Sequence, residues 1–182
     1  FSFSQVLEID PEFREAEFQR GLVFLDLGNL EEAVNAFNAV TELDPENVPA
    51  LTATGTTLYR LGKYDEAIAV FNRLLLVSPN NAEALFRKGQ ALKHMERYQD
   101  ALDTFSAAAE CDPSLPLVAL NAGIAHAKLG SDEEAIAAFE QELALNPKNT
   151  EAATRKGVSF LRIGRHTDAI NILADSVEND AG

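Results

Sequence analysis

Cysteine is almost absent from this chain. Cys111 is the only one among 182 residues, which excludes an internal disulfide and leads us to expect a reducing, cytoplasmic setting. No run of about 20 apolar residues occurs, so no membrane-spanning helix is expected. A basic start followed by an apolar run is also lacking, so no secretion signal is visible. Basic residues are few. Fifteen Lys and Arg stand against 29 Asp and Glu, a net charge of −14. Such a charge repels phosphate backbones, and no nucleic-acid partner is expected. The signatures of catalysis are missing too. There is no Gly-x-Ser-x-Gly and no Gly-x-Gly-x-x-Gly, and Gly62-Lys63 lacks the upstream glycine of a phosphate-binding loop. His94, His126 and His166 have no metal-ligand spacing. Cys111 sits beside Asp112, without the positive charge that activates a thiolate. No enzyme activity, cofactor or metal is expected.

What is present is a strict period. Glycine recurs at Gly21, Gly55, Gly89, Gly123 and Gly157, every 34 residues. A second glycine follows seven residues later at Gly28, Gly62, Gly130 and Gly164, with Glu96 as the exception. Alanine keeps the same beat at Ala33, Ala67, Ala101, Ala135 and Ala169. Phe37, Phe71, Phe105 and Phe139 form an aromatic column that ends in Leu173. Proline falls at Pro11, Pro45, Pro79, Pro113 and Pro147. A fixed period of this length means stacked small units that pack on their neighbours, not one conventional core. With 46% hydrophobic residues, a continuous core is within reach.

These columns resemble the tetratricopeptide repeat (TPR) pattern. Unit 2 carries it most clearly, with Leu51, Gly55, Tyr59, Gly62, Tyr64, Ala67, Phe71 and Pro79. The resemblance implies an all-α, right-handed α-α superhelix of 34-residue helix–turn–helix units. Five units fit: 14–47, 48–81, 82–115, 116–149 and 150–182. Residues 1–13 read as the trailing second helix of a preceding partial repeat, so a fragment of a longer chain is expected. The last unit departs from the pattern at Leu173, Ser176 and Ala181. A polar cap on the stack and a truncated continuation both explain that.

Each unit is expected to form helix A, a turn, and helix B. In unit 2 these cover about 49–61 and 65–77. Asn47, Asn81, Ser114 and Asn149 are the expected N-caps of the A helices. Acids open the B helices at Glu31 and Glu32, at Asp65 and Glu66, and at Asp132, Glu133 and Glu134, where the helix dipole favours them. The first glycine lies inside helix A at a cost of about 0.5–1 kcal/mol, which close approach of helix B and its small alanine would offset. The second glycine should close helix A in a left-handed conformation. Glu96 in that place predicts a different turn or strain. The phenylalanine column is expected to fill the seams as core. His126 and His166 occupy packing positions, whereas His94 lies on an exposed face.

The charge is sorted by helix. Across the A helices of units 2–5 the bases are Arg60, Arg87, Lys88, Lys93, Lys128, Arg155, Lys156 and Arg162. The acids there are only Glu83, Glu96 and Glu151. One column at the 34-residue spacing reads Asp26, Arg60, His94, Lys128 and Arg162. Another reads Gln19, Ala53, Arg87, Asn121 and Arg155. The TPR resemblance implies that both columns face a concave groove. The candidate groove residues are therefore Arg60, Arg87, Gln90, Lys93, His94, Asn121, Lys128, Arg155 and Arg162. Apolar companions are Phe18, Leu22, Leu25, Tyr59, Phe86, Leu117, Leu120, Ile124, Val158 and Leu161. Such a lining would steer and hold an acidic, partly hydrophobic peptide or partner helix. The competing reading is that these charges are solvated or paired with acids nearby.

Two TPR binding schemes do not fit. The carboxylate clamp aligned to units 3–5 meets Phe86, Gln90, Asn121, Glu151 and Arg155, so both lysines are missing and Glu151 has the wrong sign. An asparagine ladder finds only Asn121 in its column. The expectation is a protein-interaction scaffold that binds a protein or peptide. The alternatives are a regulatory or targeting segment of a larger protein or enzyme, and self-association through an open end bearing Phe1 and Phe3.

Overall fold

The computed structural model describes residues 11–180, with side chains from Phe13 to Ala174. The readings made for residues 1–10, including Phe1 and Phe3, and for Ser176 and Ala181 as side chains lie outside what it describes. The described chain is all α, in ten helices. They are α1 (Pro11–Asp26), α2 (Leu30–Leu43), α3 (Val48–Arg60), α4 (Tyr64–Val77), α5 (Ala82–His94), α6 (Tyr98–Cys111), α7 (Val118–Leu129), α8 (Asp132–Leu145), α9 (Thr150–Arg162) and α10 (His166–Asp180). Odd-numbered helices are the A helices and even-numbered ones the B helices.

The chain divides into two compact units, Phe1–Ala91 and Leu92–Gly182. In the first, α1 packs on α2, α2 on α3, and α3 on α4. Its core joins Leu51, Leu58, Ala67, Phe71, Leu74 and Ala84. In the second, α6 to α10 pack in succession, and α7 also touches α9. One cluster there holds Leu120, Ala135, Phe139 and Ala152, and another Ile136, Phe160 and Ala169.

The repeat columns have a physical reason. Phe37, Phe71, Phe105 and Phe139 are all buried. A Cβ added to Gly55 would lie 2.7 Å from the Phe71 ring, and one on Gly123 would lie 2.5 Å from the Phe139 ring. What compensates for the helical glycine is therefore the phenylalanine of the same unit lying on the bare backbone. The buried alanine of helix B is not what meets the glycine. In the last unit Leu173 takes the ring's place over Gly157.

The A helices end as the second glycine column requires. Gly28, Gly62, Gly130 and Gly164 have φ between 75° and 80°. Glu96 adopts the same left-handed turn with φ 59°, so the turn is retained at the expense of backbone strain. Glu96→Gly is expected to raise stability by about 0.5–1 kcal/mol, read as a higher urea midpoint, because a left-handed L-residue costs about 1–2 kcal/mol before glycine's own entropy is charged. A lower midpoint would show that Glu96 holds the turn by other means.

Three of the four expected N-caps form. Asn47, Asn81 and Asn149 accept from the N–H of Ala50, Ala84 and Ala152 through their side-chain oxygens at 2.9–3.0 Å. Ser114 does not cap α7. Its N–H and hydroxyl both donate to Asp112 Oδ1. The cap position instead holds Leu117 in a left-handed conformation, φ 67°, without a side-chain bond. Leu115 occupies the slot of the asparagines, and Pro116 pushes the residue before it away from helical geometry. α7 consequently starts two residues late. A second correction concerns His166, which is exposed at the start of α10 instead of packed.

Candidate functional site

The A helices bring part of the candidate set together in the second unit. Lys93, in the last turn of α5, donates from Nζ to Asn121 Oδ1 on α7. Asn121 is buried and anchored in turn, since its Nδ2 donates to the Leu117 carbonyl at 2.8 Å. On α9, Arg155 donates to Glu151 at 2.8 Å. Burial, and then the neighbouring Arg155 guanidinium, hold the Lys93 ammonium below its ordinary pKa, with Glu151 pulling the other way. Lys93, Asn121, Glu151 and Arg155 thus form one cluster across α5, α7 and α9. His94, exposed beside it, is lowered by partial burial and then by Lys93.

The remaining bases of this unit are placed differently. Arg162 bonds the Ala127 carbonyl at 3.2 Å and Asp132 at 3.4 Å, which ties α9 to the end of α7 and the start of α8. Lys128 is exposed and has no ion pair among the described residues. Leu117, Val158 and Leu161 are 40%, 40% and 45% exposed. Apolar surface therefore accompanies the charges.

In the first unit, Arg60 is exposed without an ion pair among the described residues. Arg87 pairs with Glu83 at 2.7 Å and donates to Gln90 at 3.3 Å. It also lies close enough to Tyr59 to oppose the rise in that phenol's pKa caused by burial and by Tyr64. Two members of the apolar lining are not lining at all. Phe86 and Leu120 are 4% and 5% exposed and belong to the core.

The sequence reading missed the part played by Glu151. The sequence counts it as one of three A-helix acids and as the wrong sign for a clamp, and the structure makes it the counter-charge of Arg155 one helical turn away. An acid four residues before a base on a helix is the signal that finds it. Among the described residues no cluster of His, Cys, Asp and Glu could hold a metal ion, and no helix is long and apolar enough to cross a membrane.

A family model described as "Tetratricopeptide repeat" matches residues 52–116 and 120–182, and one described as "TPR repeat" matches residues 21–62. The break between 116 and 120 falls on the irregular start of α7. No curated protein matches the sequence. Among solved structures, a crystal structure of MamA protein is similar with a TM-score of 0.89, at 22% identity over 94% of both chains. A MamA structure from Desulfovibrio magneticus RS-1, spanning residue 41 to its end, gives 0.87 at 23% identity, over 92% of this chain and 95% of that one. At such identity the likeness is one of fold.

Proposed function

The chain belongs to the tetratricopeptide repeat family and is a protein-interaction scaffold, and we propose that the A-helix surface of its second unit binds an acidic segment carrying apolar residues. The observation that carries this reading is Lys93. A lysine whose charge is disfavoured by burial and by Arg155 is a stability cost in the free protein. A bound carboxylate would remove that cost while using the donors of both cations. Lys128 extends the positive surface, and Leu117, Val158 and Leu161 offer contacts for apolar side chains of the same segment. Arg60, Arg87 and Gln90 belong to the first unit, where the two arginines would favour acids in the same way. No catalytic role is assigned to these residues. A cytoplasmic setting suits Cys111, which is exposed and unpaired.

The test is an array of short peptides mixing Asp or Glu with Leu or Phe. It is probed with the native chain and with the triple variant Lys93→Glu, Lys128→Glu, Arg155→Glu. Binding is expected to fall at least tenfold in the variant, with the helical circular dichroism unchanged. Equal binding by both proteins would overturn the reading.

Lys93→Met separates function from stability. The folded pKa of Lys93 lies below its ordinary 10.5, so the penalty of charging it is present at neutral pH and fades only as pH rises through the folded value. Removing the charge should weaken acidic-peptide binding, and because relief of the charging penalty offsets the lost bond to Asn121 Oδ1, the neutral-pH unfolding midpoint should change little. A large drop in that midpoint would make Lys93 a structural residue instead.

A further inference from the structure

A second surface of the second unit has the opposite character. A cleft of about 860 Å³ lies between α6 and α8, with α7 as its floor. Its floor is made of Ala119, Ala122 and His126. At the 34-residue spacing, the place of Ala122 is held by Arg20, Thr54, Lys88 and Lys156, and that of His126 by Phe24, Leu58, Leu92 and Phe160. α1 and α9 pair a long base with an aromatic at these places, and α7 has neither. On α9, Lys156 lies along the Phe160 ring, 5.5 Å from its centre, and reaches Glu140 on α8 at 2.9 Å. On α1, Arg20 covers Phe24 in the same way. On α7 the long base and the aromatic are both replaced by smaller residues, and the volume they would occupy is empty.

The walls mix small apolar residues, such as Ala109 of α6 and Ala137 of α8, with polar Gln99, Ser106 and Gln141, and Leu129 and Leu145 at the rim are 46% and 57% exposed. The charged lining residues are all acids, namely Asp103, Asp112 and Glu134, and no Lys or Arg is among them. The walls run from Gln99 to Ala109 on α6 and from Glu134 to Leu145 on α8. At 1.5 Å per residue that is about 15 Å, or three turns of helix.

We propose that this cleft docks a cationic amphipathic helix, its apolar stripe on Ala119, Ala122 and the exposed leucines and its Lys or Arg residues against Asp103, Asp112 and Glu134. The apolar surface continues from the floor onto the open rim, which an enclosed small compound would leave wet and a helix would cover. The acids flanking it select a partner of positive charge and reject the acidic segment proposed for the A-helix face. The two surfaces thus sort partners by sign.

The test uses a labelled 14-residue peptide of Leu and Lys with its leucines on one helical face. A scrambled peptide of the same composition is the comparison, and fluorescence anisotropy is the readout. Ala122→Lys restores the residue type found at 88 and 156 and fills the floor. Ala137→Arg blocks one wall from an exposed position and tests the same point should the first variant unfold. Ala69→Lys, exposed on α4 in the first unit, makes the same charge change elsewhere. The expected result is at least tenfold weaker binding in both cleft variants, native affinity in Ala69→Lys, and at least tenfold weaker binding of the scrambled peptide. Undiminished binding in Ala122→Lys and Ala137→Arg would overturn the proposal. So would equal binding of the scrambled peptide, which would mean attraction to net charge alone.

Discussion

Phe71→Ala is expected to cost about 3–5 kcal/mol, the range for deleting a fully buried aromatic side chain. Phe71 is completely buried among Leu51, Leu58, Ala67 and Leu74, and nothing nearby can collapse into the gap without leaving its own contacts. Gly55→Ala tests the same contact from the other side. Helix propensity alone favours alanine there by about 1 kcal/mol. The added Cβ would lie 2.7 Å from Phe71 Cε1 and 2.9 Å from Cζ, so the ring must move. The substitution should therefore destabilise, by about 1–3 kcal/mol. In the double variant the ring is gone, the alanine meets no obstacle, and its cost should vanish or reverse. Urea unfolding of the four proteins gives the coupling directly. An additive cycle would mean that the glycine column exists for some reason other than the ring.

Those two columns are also where the sequence was most legible. A glycine and a phenylalanine sixteen residues apart recur because the pairs Gly21–Phe37, Gly55–Phe71 and Gly123–Phe139 each make one contact, so the period reports the packing. Helix boundaries followed for the same reason, since Asn47, Asn81 and Asn149 each cap at the same phase. The start of α7 was not legible, because Leu115 offers no acceptor and a neighbouring serine was a reasonable substitute. What it does instead, bonding to Asp112, depends on loop geometry. The candidate site was legible only in part. Composition showed that bases gather on the A helices, but Arg87 and Arg155 each stand four residues after a glutamate and are paired with it. Exposed pairs of this kind are worth little, and both arginines remain available to a stronger acidic partner. Phe86 and Leu120 were misplaced because an A helix packs on more than one side, and a column shared among units does not say which side a residue faces. The cleft over α7 was invisible for another reason. It arises from what Ala122 and His126 lack, and a missing volume has no motif.

Asn149→Ala should be far more damaging than Asn81→Ala, although both remove the N-cap of an A helix. Loss of the cap alone costs about 1 kcal/mol, and that is the whole effect expected at Asn81. Asn149 has a second duty. Its Nδ2 donates at 2.8 Å to Glu142 Oε1, and Glu142 is 3% exposed. At the 34-residue spacing the place of Glu142 is held by Val40, Leu74 and Ala108, all buried and apolar. A carboxylate has thus been put into a core position, and Asn149 is the side chain that satisfies it. Removing that donor leaves a buried acceptor without its partner, a further cost of about 1–3 kcal/mol, so the total should reach about 2–4 kcal/mol. The remedy follows from the second repeat. Glu142→Leu restores the residue of position 74 and removes the group that needs a partner. In the Asn149→Ala background it should return stability to the level of Asn81→Ala. In the native background it should be neutral or stabilising, because Asn149 keeps its cap through Oδ1 and its amide can turn to solvent. Equal losses at Asn81 and Asn149 would show that Glu142 draws its compensation elsewhere, and the rescue would then fail as well.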